Sequence, residues 1–377
     1  MRVGLIAADL SHNHGWAHYS LELALALQRA GVQVQCVTSH NSPDHSDIEQ
    51  ARILPALVPR DRLNFAKMML QLPRVRPLLS TCDLIHCCVE PFAALAAATT
   101  GTRPFFQAGV GSYLAVDRWQ RPPLSTMTKR AIAHSTLVCI SHYTAQVARR
   151  HFPETRIEVI PLGIDPSRFA QPPSAEFSIN RPDGPLILSV GGVKYRKGTL
   201  PLVRAMAKVR EAHPTVRCII LGNTTEGSDY TQQVRAAIAE LRLEECVELR
   251  GFVSEDELRA WYAAADLFVL PSMNRDWMFE GYGLVHMEAS AAGLPVIGTS
   301  GCGVEDAIDD GITGLLVSQQ QIETELPQAI ITLLDDPQRR AAMGAAGRAR
   351  AQSQTWDRVA QQMIALYQSA LNANTRR

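Results

Sequence analysis

Short apolar runs alternate with longer amphipathic segments along most of this chain, and that alternation restricts its fold more than any other feature. Residues 3–8 read as a buried strand. A polar loop rich in His and Gly follows, then a helix over 17–30 that closes on Gly31, then a second strand over 32–38. Strands that are apolar on both faces and joined through helices build a parallel sheet, with ligands expected at the carboxyl ends of the strands. Runs at 84–88, 104–107, 137–140 and 157–161 repeat the theme. Between residues 169 and 185 the periodicity stops in a polar, Pro-rich stretch, which reads as a linker. The alternation then restarts, with strands expected at 186–190, 217–221, 247–250, 267–270 and 295–298 and helices at 199–211, 231–241, 255–264 and 282–292. The expectation is an α/β protein of two Rossmann-like, doubly wound parallel-sheet domains facing across a cleft. The first spans 1–170, a linker 171–183 and the second domain 184–354. A C-terminal amphipathic helix at 355–377, with Trp356, Val359, Met363 and Tyr367 on one face, is expected to cross back to the first domain.

Composition bears on partners. The chain has 377 residues of which 46% are hydrophobic, enough for two cores, and 37 Lys+Arg balance 37 Asp+Glu. That balance argues against a nucleic-acid partner. The eight cysteines form no CxxC pair and read as small buried hydrophobes in a reducing compartment. The opening residues MRVGLIAADL carry no secretory signal pattern, and no run approaches 18 apolar residues, so a cytoplasmic location is expected. An expected helix over 63–79, with Lys67, Arg74 and Arg76 among apolar residues, leaves room for peripheral contact with the inner face of a membrane. Oligomeric state is not legible.

The strongest constellation is Phe279-Glu280-Gly281-Tyr282-Gly283-Leu284-Val285-His286-Met287-Glu288. Glu280 precedes a helix and Glu288 lies about two turns inside it, while Gly281 and Gly283 allow close approach of a ligand to free N–H groups suited to phosphate. An acidic cap plus a solvated Glu is the plain alternative. The second constellation is Gly191-Gly192-Val193-Lys194-Tyr195-Arg196-Lys197-Gly198, a Gly-rich turn with cations at the end of a strand, with a solvated turn as its plain alternative. His12, His14 and His18 crowd the first loop without Cys or Asp at the spacing of a closed zinc site, so they read as a polar loop, and Asp9 has no evident partner.

The Glu-x7-Glu spacing resembles the signature of retaining, nucleotide-sugar-dependent glycosyltransferases of the family known as GT4, which have the GT-B fold. Ile160-Pro161-Leu162-Gly163-Ile164-Asp165, Gly251-Phe252-Val253, Tyr262, Pro271-Ser272, Ala292-Gly293-Leu294-Pro295, Glu305 and Gly314-Leu315-Leu316-Val317 extend the resemblance, as do Gly15 and Ser141 more weakly. It implies transfer of a hexosyl unit from a UDP-, GDP- or ADP-sugar co-substrate to a hydroxyl of a saccharide, a lipid-linked acceptor or a small molecule, with no tightly bound cofactor and no metal. It further implies that Glu280 meets donor-sugar hydroxyls, that Glu288 holds the ribose and that Lys197, with Arg196, offsets charge on the diphosphate. Gly15, Gly191, Gly251, Phe252, Val253, Gly281, Tyr282, Gly283 and Leu284 complete the implied donor contacts. No nucleophile or general base follows.

Two positions depart from the family. Gly192 stands where the family has a phosphate-binding Arg, leaving Arg196 or Lys194 to supply that charge, and Val110 stands where it often has a His. Those losses keep a second reading open, a noncatalytic homologue that partners another transferase. A nucleotide-sugar epimerase is a further, weaker alternative.

Overall fold

Both halves of the chain build all-parallel sheets in the computed structural model, which describes every residue except 13, 57, 171–178, 180, 182, 225–227 and 376–377. The chain divides into two units, one formed by Met1–Gly163 with Trp356–Arg377 and the other by Ile164–Thr355. Most of the expected linker at 171–183 lies outside the described residues.

The first unit holds seven strands: β1 (Arg2–Ile6), β2 (Gln33–Ser39), β3 (Glu49–Leu54), β4 (Leu84–Cys87), β5 (Phe105–Gly109), β6 (Thr136–Cys139) and β7 (Ile157–Val159). Their order is β3-β2-β1-β4-β5-β6-β7. The chain therefore winds outward from β1 on one side and from β4 on the other, so the β1/β4 crevice is a topological switch point. The second unit holds β8 (Leu186–Val190), β9 (Arg217–Leu221), β10 (Val247–Gly251), β11 (Leu267–Val269), β12 (Val296–Thr299) and β13 (Gly314–Val317) in the order β10-β9-β8-β11-β12-β13. Its switch point lies between β8 and β11. Registers such as Val3↔Val34 and Ile187↔Cys218 pair residues that are almost wholly buried, as strands covered on both faces require.

Two strands escaped the sequence reading. β3, Glu49-Gln50-Ala51-Arg52-Ile53-Leu54, is an edge strand whose side chains are mostly half-exposed, so it carries no apolar run. β13, Gly314–Val317, falls on residues quoted above only for their family resemblance. The helix expected over 63–79 is in fact two, Arg62–Met69 and Leu72–Leu78, because Pro73 starts a new helix and cannot continue the old one. Among the described residues no helix is long and apolar enough to cross a membrane.

The C-terminal helix Trp356–Thr375 belongs to the first unit and lies on the helix Gly15–Arg29. Trp356, Val359, Met363 and Tyr367 are all buried. Tyr367 packs edge-on against Phe106, with its hydroxyl 2.5 Å from Nδ1 of buried His86. Each such apolar side chain contributes roughly 1.5–3 kcal/mol by leaving water. All eight cysteines are free and buried.

Candidate functional site

In the second unit, the loop after β8 and the segment after β11 meet at the switch point. Gly191 and Gly192 turn the chain, their N–H groups donating to the Leu221 carbonyl at 3.0 and 2.9 Å. At Gly192 φ is +75°, and a Cβ there would lie 2.6 Å from the Asn223 carbonyl oxygen. An arginine therefore does not fit at this position without moving backbone. A single turn of 3₁₀ helix at Tyr195–Lys197 follows and ends on Gly198, at φ +63°, where a Cβ would overlap the Pro271 carbonyl. That close approach seats the basic turn against the segment after β11, and the Met273 N–H donates to the Arg196 carbonyl at 2.9 Å.

Glu280 is the centre of this arrangement. Its side chain is 11% exposed, and its Oε2 accepts from Lys197 Nζ at 2.8 Å, Arg196 Nη1 at 2.5 Å and Ser272 Oγ at 3.5 Å. The Gly303 N–H donates to the Glu280 carbonyl at 2.8 Å, which fixes the backbone as well. Burial works to raise the carboxyl pKa, but the Arg196 and Lys197 charges outweigh it and hold it at about 2. Burial also lowers Lys197 below the ordinary lysine range, against the opposing pull of Glu280. Two cations on one carboxylate leave the cluster with one net positive charge.

Eight residues on, Glu288 sits in the helix Leu284–Ala292 and accepts from the Tyr262 hydroxyl at 2.9 Å. Burial raises its carboxyl pKa. Gly283 caps that helix, which begins at Leu284 rather than at 282. Tyr282 is 2% exposed and packs inward. His286 is fully buried, with Nδ1 3.1 Å from the Gly283 carbonyl oxygen, and burial drives its pKa down to about 4. The structure thus brings Lys197, Arg196, Ser272 and Glu280 into direct contact. Gly251, Phe252 and Val253 lie elsewhere on the same sheet edge, at the end of β10, three strands or about 14 Å from β11. Phe252 is 80% exposed there.

The first unit builds its own switch-point site. A cavity of about 250 Å³ is lined by Asp9, His14, Trp16, Asn41, Val89 and Phe92 among others, from the segments at the carboxyl ends of β1 to β4. Gly15 opens the helix beside it, and His14 caps that helix by accepting from the Ala17 N–H at 3.3 Å. Asp9 does have a partner, His14 Nε2 at 2.7 Å. Burial raises the Asp9 carboxyl, but His14 and Ser11 more than compensate and bring it below its ordinary value.

Glu90, which sequence reasoning missed, is wholly buried just after β4. Its Oε1 accepts from the N–H groups of Val110 and Gly111 at 2.8 and 3.2 Å, anchoring the segment that carries Val110. Burial pushes its pKa up to about 7 despite those bonds. The available signal was an acid placed immediately after an apolar strand.

Two family models match. One, described as Glycosyl transferases group 1, matches residues 173–350, and the other, Glycosyltransferase Family 4, matches residues 14–168. The chain is 32% identical over 281 residues to a GDP-mannose-dependent monoacylated alpha-(1-6)-phosphatidylinositol monomannoside mannosyltransferase of Corynebacterium glutamicum, covering 70% of this chain and 71% of that one. It is 31% identical over 239 residues to a GDP-mannose-dependent alpha-(1-6)-phosphatidylinositol monomannoside mannosyltransferase of Mycolicibacterium smegmatis, and that match spans 61% of each chain. Among solved structures, a sucrose-phosphate synthase from Thermosynechococcus elongatus superposes with a TM-score of 0.80 at 27% identity, over 99% of both chains. HepE of Anabaena, solved with UDP and glucose, gives a TM-score of 0.75 at 18% identity over 98% of this chain and 100% of that one, a likeness of fold. With two parallel-sheet domains, a family match on each side of residue 170 and these relatives, the chain belongs to glycosyltransferase family 4 and has the GT-B fold.

Proposed function

We propose that this chain is a retaining glycosyltransferase that moves a hexosyl unit from a nucleotide-diphosphate sugar to an acceptor hydroxyl. The observation that carries the reading is the cluster of Lys197 and Arg196 on Glu280 at the β8/β11 switch point, beside the start of the helix that holds Glu288. Breaking a glycosyl phosphate bond builds negative charge on the departing diphosphate. Fixed cations and backbone N–H groups near it therefore stabilise the transition state more than the ground state. Lys197 suits this role because Glu280 holds it in place while the cluster keeps a net positive charge. Arg196 supplies the second cation, in place of an arginine for which Gly192 leaves no room.

In this reading Glu280 meets sugar hydroxyls, and Glu288, oriented by Tyr262, holds the ribose. The edge near Gly251, Phe252 and Val253 receives the far end of the nucleotide. The first-unit cavity with Asp9 and His14 takes the acceptor, and Gly15, which opens the helix beside it, approaches the donor. GDP-mannose in the names of sequence relatives, and UDP in a structural neighbour, support a GDP- or UDP-sugar donor. Relatives named as phosphatidylinositol monomannoside and D-inositol 3-phosphate glycosyltransferases support an inositol-bearing or glycolipid acceptor. A lipid-linked acceptor would bring the protein to the inner face of a membrane.

The test is release of nucleoside diphosphate from UDP-, GDP- and ADP-hexoses against an acceptor panel that includes inositol phosphates, with the product anomer read by NMR. One donor is expected to be consumed and its anomeric configuration kept. Inversion would overturn the retaining mechanism, and absence of turnover with every pair would favour the noncatalytic partner.

A further inference from the structure

Among the described residues, one group of side chains converges as metal ligands do. His18 and Glu22 lie four residues apart on one face of the helix Gly15–Arg29, and His12 reaches them from the preceding loop. One ligand atom from each lies within 4.8 Å of the others. His12 Nε2 is 2.9 Å from Glu22 Oε1, and the two imidazole rings meet edge to face at 4.9 Å between centroids. From spacing alone the histidines read as a polar loop, because the third ligand was sought among Cys and Asp. Glu22 supplies it from the next helical turn.

We propose that His12, His18 and Glu22 form a binding site for a divalent transition metal of the Zn²⁺ type. Two imidazole nitrogens and one carboxylate oxygen match the preference of such ions and leave a fourth position for water, whereas Ca²⁺ and Mg²⁺ favour all-oxygen sets. Ligand atoms around tetrahedral zinc stand about 3.3 Å apart, so the site closes by a shift of about 1.5 Å. The His12 side chain, 46% exposed, has room to make that shift, while His18 is held nearly buried beside Trp356. Binding replaces the His12–Glu22 contact with a stronger tie between the loop and the helix. That loop also carries Asp9 and His14, so metal occupancy would set the shape of the 250 Å³ cavity they line. The inference is independent of the donor reading.

The test is titration of the tag-free, chelator-treated full chain with Zn²⁺ by calorimetry, and with Co²⁺ by visible absorption. The expected result is one site per chain with a tetrahedral Co²⁺ band. His12→Ala and Glu22→Gln are each expected to weaken binding by at least about tenfold while thermal unfolding shows both variants folded. Absence of saturable binding, or equal binding in both folded variants, would overturn the proposal. If either variant fails to fold, competition of Zn²⁺ with diethyl pyrocarbonate for His12 in the unmodified chain decides. Protection is expected, and no protection overturns the site.

Discussion

Two buried carboxylates, one at each switch point, have opposite electrostatic fates. Glu280 in the second unit is gripped by Lys197 and Arg196 and held ionised, with its pKa at about 2. Glu90 in the first unit is met by backbone N–H groups of Val110 and Gly111, and burial pushes it up to about 7. The two sheets are alike, so the difference lies in what the neighbouring loops bring. The basic turn after β8 supplies fixed positive charge. The first unit meets Glu90 with backbone dipoles instead, next to a cavity lined by the Asp9–His14 pair and by apolar side chains. In the proposed reading the net positive cluster of the second unit is the one that takes the diphosphate.

The comparison breaks most sharply at Glu280. Glu280→Gln leaves Lys197 nearly buried without its counterion, with an expected loss of about 3–5 kcal/mol in stability measured by denaturant at pH 7. The unsubstituted carboxylate has a folded pKa below its ordinary value. Its contribution, about 3 kcal/mol, is therefore present above about pH 4.5 and lost as pH falls through about 2. The Gln variant should lack that acid limb; an unchanged limb would show that the pair does not hold the charge.

Glu90 should behave in the opposite sense. Its folded pKa is raised, so its contribution, about 3 kcal/mol, is present below about pH 4.5 and lost as pH rises through about 7. Glu90→Gln should therefore flatten the stability profile between about pH 4.5 and about pH 7, and a profile parallel to the parent would contradict the assignment.

A smaller effect sharpens the contrast in loops. Gly192→Arg restores the family residue yet should cost about 1–3 kcal/mol, because of its positive φ and the Asn223 backbone. It should also fail to rescue Arg196→Ala in sugar-nucleotide turnover. Rescue would show that an arginine does fit at 192, against the steric reading of the Asn223 backbone.

Much of this was legible in the sequence because parallel strands are short apolar runs and phosphate loops need Gly at a strand end. Glu280, Glu288 and Lys197 lay in the two motifs that spacing brought out, but their roles follow only from the family resemblance. β3 did not stand out, since an edge strand reading Glu-Gln-Ala-Arg carries no hydrophobic signal. Glu90 did not, because its partners come from distant backbone and spacing reports only local neighbours; Glu22 did not, because partners for the histidines were sought only among Cys and Asp. The departure from the family at Gly192 was only half legible. That the charge was missing could be read; that Arg196 reaches Glu280, and that nothing larger fits at 192, required the fold.

The most direct test of the central claim is calorimetric titration of UDP, GDP and ADP into the unsubstituted chain, Lys197→Ala and Glu90→Gln at one ionic strength. One nucleotide should bind the unsubstituted chain and Glu90→Gln alike, and Lys197→Ala at least about tenfold more weakly. Equal binding by Lys197→Ala, or no binding of any of the three, would contradict a diphosphate site at the β8/β11 switch point.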